Sequence, residues 1–199
     1  MKNPFNVLTF SKVFLLCSAV ILIFSVQVSR AREIAGVTVP ETDTMESTLL
    51  VLNGAGIRKK FFVKIYVGAL YLTRKQATAA QILSDPGAKR IVMSFLYKEV
   101  SAEKLVDGWN EGFESNNSAE ELRVLRESIN RFNSFFTTVR KGDVIRLDYT
   151  PEQGSRIWLN DMLKGSVAGE DFYRALLKIW LGSKPADAGL KDAMLGNAY

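Results

Sequence analysis

Residues 61–72 read Phe-Phe-Val-Lys-Ile-Tyr-Val-Gly-Ala-Leu-Tyr-Leu, a run dominated by β-branched and aromatic side chains. Side chains alternate along a strand. This places Phe61, Val63, Ile65, Val67, Ala69 and Tyr71 on one face and Phe62, Lys64, Tyr66, Gly68, Leu70 and Leu72 on the other. Both faces are largely apolar, and such a strand must be covered on both sides. The run is therefore predicted to be a long central strand of a sheet.

The rest of the chain supplies partners for it. Ile34–Pro40 reads as a short edge strand, ended by Pro40. Thr48–Leu52 reads as a strand stopped by Asn53-Gly54-Ala55-Gly56, a turn or bulge signal. Arg90–Tyr97, Val144–Tyr149 and Ser155–Leu159 are further strands, the last two joined by a hairpin loop at Pro151–Gly154. Lys75–Leu83 is a short helix before Asp85-Pro86-Gly87. Ser101 is the expected N-cap of a helix reaching Glu114, and Ser118 with Glu121 fits a capping box. Leu122, Leu125, Ile129, Phe132 and Phe136 follow at helical spacing. An amphipathic helix over Glu170–Leu181 ends at Gly182, and a last helix lies near Leu190–Leu195. Strands, helices, strands, helices in that order predict an α+β fold, a mostly antiparallel sheet with helices packed on one face.

The first thirty residues have a different character. Lys2 and Lys12 precede a fourteen-residue uncharged stretch from Val13 to Val26, and Ser29-Arg30-Ala31 follows. This is the layout of a secretory signal peptide, and the stretch is short for the roughly 20 residues of a membrane span. The expected organisation is a signal peptide over residues 1–31 and one domain over 32–199. The protein would be exported, periplasmic or secreted, touching membrane only through the signal segment. An uncleaved anchor is the alternative. Removing residues 1–31 takes Lys2, Lys12, Arg30 and the single cysteine, Cys17, so the net charge falls from +5 to +2. That charge gives no broad basic field, and no nucleic-acid partner is expected. With no histidine anywhere, Ser-His-Asp and Cys-His nucleophile pairs are excluded. No metal or cofactor pattern is found.

Candidate chemistry is therefore confined to other groups. Gly54-Ala55-Gly56 lacks the third glycine of a dinucleotide fingerprint, with Lys59 in its place, and reads as a bulge or tight turn. Such a turn can set the next side chain, Arg58, in a cleft. If the strand runs unbroken through this region, Arg58 and Tyr66 share a face with Lys60, Phe62 and Lys64. A guanidinium and a phenol beside apolar groups suit a carboxylate or an enolate. The alternative for Arg58-Lys59-Lys60 is a solvated strand end. Trp109, Trp158 and Trp180 are assigned to the core or its rim, and Glu120, Glu121, Asp143 and Asp148 to caps and surface charges.

Leu52-Asn53-Gly54-Ala55-Gly56-Ile57-Arg58 and the strand from Phe62 to Leu72 resemble the turn and following strand of the chalcone isomerase-like family. Ser101–Leu105 and Phe172–Gly182 are similar to two of its helices, and Trp180-Leu181-Gly182 to the ending of its secreted bacterial members. The resemblance implies an open-faced antiparallel sheet with helices on one side and an apolar cleft between them. The family's enzymes close a flavanone ring from an enone with an arginine, two threonines, a tyrosine and an asparagine. Carried over, these fall on Arg58, on Tyr66 and near Ile179, near Ser101 and near Gly108, and only the arginine is retained. A non-catalytic branch binds fatty acids through an arginine and a tyrosine, which Arg58 and Tyr66 resemble. The leading expectation is an exported, non-catalytic protein holding a small apolar carboxylate, such as a fatty acid, or a phenolic ligand on Arg58 and Tyr66. One alternative is an intramolecular lyase with Arg58 as anchor and Tyr66 as proton donor. The other is a structural or interaction protein of the envelope whose cleft is filled by its own side chains.

Overall fold

The computed structural model describes residues 31–197, and the expected signal peptide lies outside the described residues except for Ala31. The first strand prediction resolves into a hairpin. β1 (Ala31–Ile34) and β2 (Val37–Pro40) pair through Ala35 and Gly36, both at positive φ. β3 (Thr42–Met45) leads into β4 (Thr48–Lys60), β5 (Val63–Leu72), α1 (Ala79–Ser84) and β6 (Lys89–Phe95). β7 (Glu99–Val100), α2 (Ala102–Asn116), α3 (Ala119–Asn133) and β8 (Val139–Arg140) follow. β9 (Val144–Thr150), β10 (Gly154–Leu159), β11 (Met162–Val167), α4 (Glu170–Leu181) and α5 (Ala188–Met194) complete the order.

Seven strands form one antiparallel sheet in the order β11-β10-β9-β6-β5-β4-β3, and β5 lies inside it as its two apolar faces require. Helix α1 begins at Ala79 rather than Lys75, and β6 ends at Phe95 rather than Tyr97; two further differences bear on the site. The strand beginning at Thr48 does not stop at Asn53. It continues to Lys60, and Asn53 is an extra residue bulged between the Leu52–Tyr71 and Gly54–Leu70 pairs. The segment expected as one strand from Phe61 instead turns at Phe61-Phe62, so Arg58 and Tyr66 stand on neighbouring strands. β3 is mostly polar and β11 lacks alternation, and neither was foreseen. Asn160 and Asp161, both at positive φ, form the tight turn into β11.

Each face of the sheet has its own core. Helices α2 and α4 pack with Tyr66, Leu70, Met93, Phe95, Ile145 and Leu147 on one side, and Phe113, Phe132 and Phe172 make tilted and edge-on ring contacts there. The second face is covered because the sheet curls. Val67, Ala69 and Tyr71 of β5 pack with Leu50, Leu52 and Met45, under Val39 of the β1–β2 hairpin. Tyr71 donates from its hydroxyl to the Pro40 carbonyl at 2.9 Å. Curling brings strands that are far apart in the sheet order within reach of one another. Arg90 on β6 contacts Asp43 on β3 at 2.6 Å, and Arg156 on β10 contacts Glu46 in the β3–β4 turn at 2.5 Å. Asp148, expected at the surface, is buried and takes Arg90 through both carboxylate oxygens, at 2.6 and 2.8 Å.

Helix ends follow their sequence signals. The Ser101 hydroxyl accepts from the Lys104 amide, and Ser118 with Glu121 closes both bonds of a capping box. Gly182 ends α4 at φ −69, so a left-handed backbone is not what the position needs; a Cβ there would fall on Asn116 Oδ1. Among the described residues, both cores are assembled from buried side chains between Val39 and Met194. Among the described residues no helix is long and apolar enough to cross a membrane.

Candidate functional site

The site begins with a glycine bed. Gly56 on β4 stands directly opposite Gly68 on β5, with Gly54 two residues before. A Cβ at Gly54 would fall on the Ala193 carbonyl, one at Gly56 would meet Ala193 Cβ at 2.5 Å, and one at Gly68 would meet Met194 Cε at 2.8 Å. The glycines thus let α5 lie directly on the two strands. Asn53, at the bulge, fixes the helix end: its Nδ2 donates to the Met194 carbonyl at 2.8 Å while its Oδ1 accepts from the Gln76 amide at 2.7 Å. At the other end Asp187 caps α5 by accepting from the Leu190 amide at 2.9 Å and also accepts from the Lys59 amide at 2.8 Å. The backbone beside Arg58 is therefore tied to the start of α5.

Arg58 and Tyr66 are direct cross-strand partners. The register shifts immediately after this pair, with Ile65 as the extra residue on β5, and such a bulge re-aims side chains. The Arg58 guanidinium carbon lies 5.7 Å from the Tyr66 ring centroid. Arg58 is half-buried, and its Nε is fully enclosed without a hydrogen-bond partner. Tyr66 is buried, and its oxygen accepts from Trp180 Nε1 at 2.9 Å. Burial pushes the Tyr66 phenol above its ordinary range, against an opposing pull from Arg58 and the Trp180 bond, so it is a neutral proton donor at pH 7.

These groups border a cavity of about 50 Å³. β5 and β6 contribute Ile65, Tyr66, Met93 and Phe95 to its wall; α2 contributes Lys104, Leu105, Gly108 and Trp109; Ile179 comes from α4. The wall carries two cations, Arg58 and Lys104, and no carboxylate. Trp109 Nε1, like Arg58 Nε, is buried without a partner. Buried donors are normally satisfied, and these two belong to residues that line one cavity. No group of three or more His, Cys, Asp or Glu side chains among the described residues could hold a metal ion.

The structure brings the two sequence-chosen residues together, across a hairpin rather than along one strand. Of the positions carried over by resemblance, Gly108 and Ile179 lie on the cavity wall and offer it no side-chain hydrogen-bonding group, while Ser101 is spent as a helix cap. Trp109 and Trp180 lie in the core as expected; the sequence did not show that Trp109 also lines the cavity and that Trp180 holds Tyr66. Their helical spacing reads equally well as core, and only the tertiary packing separates the two roles. The cavity is well below the 300–1,000 Å³ usual for small-molecule sites. Trp109, packed against Phe132, Phe136 and Trp180, occupies the space behind it.

No curated protein matches the chain significantly. Among solved structures, that of a fatty-acid binding protein from Arabidopsis thaliana superposes with a TM-score of 0.63, covering 84% of this chain and 97% of that one. Identity is 15%, a likeness of fold alone. The sequence model of the chalcone isomerase-like family matches residues 31–196, nearly the whole of the curled sheet and its helices. The chain therefore belongs to the chalcone isomerase-like family.

Proposed function

We propose that this protein binds a small apolar carboxylate without transforming it, with the head group held by Arg58, Tyr66 and Trp109. One observation carries the reading: two buried donors, Arg58 Nε and Trp109 Nε1, lack partners on a wall that holds two cations and no acid. The neutral Tyr66 phenol adds a third donor. An anion accepting these bonds in a poorly solvated site gains charge-assisted hydrogen bonds of about 1.5–3 kcal/mol each. A fatty acid is the ligand class that the fold relative's name suggests. The 50 Å³ cavity takes its head, and a longer tail enters only by displacing Leu105 and Trp109 of α2. Fatty acids of increasing chain length, titrated into the protein, test this. Arg58→Ala is expected to weaken binding by about ten- to a hundredfold. Equal affinity in the two proteins sinks the proposal.

An intramolecular lyase reading would use the same pair, with Arg58 anchoring an enone oxygen and Tyr66 giving the proton. It has less support, because Gly108 and Ile179 place no hydrogen-bonding side chain against a developing enolate. Chalcone cyclisation above the spontaneous rate, lost in Arg58→Ala, would reverse that order. We also place the protein outside the cytoplasm, on the signal-peptide layout of residues 1–31. Its intact mass after recovery from cells tests this, since retention of residues 1–31 contradicts cleavage.

A further inference from the structure

The hairpin that carries Arg58 and Tyr66 ends in a tip whose two aromatic rings the fold does not use. Phe61 is 88% and Phe62 100% exposed, and Val63 beside them is also exposed. Phe61 sits at φ +56, the sign that a two-residue hairpin turn reserves for glycine or asparagine. A phenylalanine here strains the backbone and buries nothing, so neither turn geometry nor packing accounts for the pair. Around the rings stand Lys59, Lys60 and Lys64, all exposed. Tyr97 and Lys98 join them, because the Tyr97 amide donates to the Ile65 carbonyl at the base of the hairpin. Among the described residues no carboxylate forms an ion pair with Lys59, Lys60, Lys64 or Lys98. Apolar rings at an apex within a collar of unpaired ammonium groups match an interface that is apolar below and anionic above.

We propose that the β4–β5 hairpin tip, residues 59–64, docks on a bilayer rich in anionic phospholipid, with Phe61 and Phe62 entering the acyl boundary and the lysines meeting the phosphates. Sequence alone assigns membrane contact to the N-terminal segment; the tip is a second contact made by the folded domain. Docked this way, the hairpin holds the Arg58 cavity at the membrane surface, where an apolar carboxylate is stored. That last consequence rests on the proposed ligand, whereas the docking does not.

The test is flotation of the chain from Ala31 onward, which carries every described residue of both cores and is first checked for cooperative unfolding, on phosphatidylcholine vesicles with and without phosphatidylglycerol. Binding is expected only with phosphatidylglycerol and should weaken as salt is raised. Phe61→Gly with Phe62→Ser should reduce it about tenfold or more. This double variant should unfold at no lower a temperature, since glycine suits the positive φ. Lys59→Gln, Lys60→Gln and Lys64→Gln together should weaken binding and remove most of its salt dependence. Unchanged flotation of the phenylalanine variant overturns the proposal, as does equal binding to both vesicle types. Self-association in ultracentrifugation without vesicle binding also overturns it and assigns the tip to a second copy of the chain. Fatty-acid affinity measured in solution on the phenylalanine variant separates the two readings: it should be unchanged, so loss of docking and loss of ligand binding are read independently.

Discussion

Tyr66 is held in place by one bond and leaves another free. It accepts from Trp180 Nε1 at 2.9 Å, which fixes its oxygen, and its own proton has no acceptor among the described residues. Burial raises its pKa, so that proton stays on the oxygen through neutral pH. Removing the hydroxyl therefore has a cost independent of any ligand. Tyr66→Phe leaves the Trp180 indole N–H buried and unpaired, and is expected to lower stability by about 1–3 kcal/mol in urea unfolding. The costs of Tyr66→Phe and Trp180→Phe should be less than additive, because the second change removes a donor that the first has already stranded. Arg58 differs in kind. Its Nε is already unpaired in the protein alone, so its removal should be felt in binding more than in stability.

At the scale of elements, the Gly54-Ala55-Gly56 stretch is a seat for a helix. α5 lies close enough to β4 and β5 that a methyl group at Gly56 would overlap the Ala193 side chain. Gly56→Ala is expected to destabilise the protein by about 1–3 kcal/mol, as overpacking does. Hydrogen exchange should then show loss of protection in α5 first, with the far strands β9 to β11 less affected. The same lift would loosen Asp187, which caps α5 and takes the Lys59 amide beside Arg58. Gly56→Ala should thus also weaken ligand binding although it touches no lining residue. Unaltered exchange in α5 would contradict the seat.

For the whole molecule, the ion-pair network determines how the curled sheet is closed. Arg90 satisfies buried Asp148 and reaches Asp43 on the edge strand, which becomes a neighbour only because the sheet curls. Arg90→Met leaves buried Asp148 with only the longer Arg146 contact, at 3.6 Å, and is expected to cost about 3–5 kcal/mol. Arg90→Met with Asp148→Leu should be markedly more stable than the single variant, as chemical denaturation would show. Alkali should attack the molecule as a unit. Burial raises the phenols of Tyr66, Tyr71, Tyr149 and Tyr173. A raised folded pKa contributes stability that is fully present below the unfolded value of about 10 and is lost as pH climbs through the folded values. Phenolate absorbance from these four should therefore appear together with unfolding. A separate early titration of any of them would contradict its burial.

The sequence by itself determined the elements whose signals are local. The central strand was legible from two apolar faces, α2 and α3 from their serine caps, and α4 from its amphipathic period, because each depends on neighbours a few residues away. Arg58 and Tyr66 were picked out as candidates by their chemistry, in a chain without histidine and with one cysteine, and by the family resemblance. Only the tertiary structure decided how that pair meets. An exposed Phe-Phe turn is no hairpin signal, so the tip at Phe61 could not be read, and the pairing across it follows from the register of two strands. Burial of Asp148, the partnerless Trp109 donor and the size of the cavity likewise depend on residues far apart in the chain. A charged or indole side chain looks the same in sequence whether it is solvated or enclosed; its surroundings, and so its energy, exist only once the sheet has curled and the helices have packed.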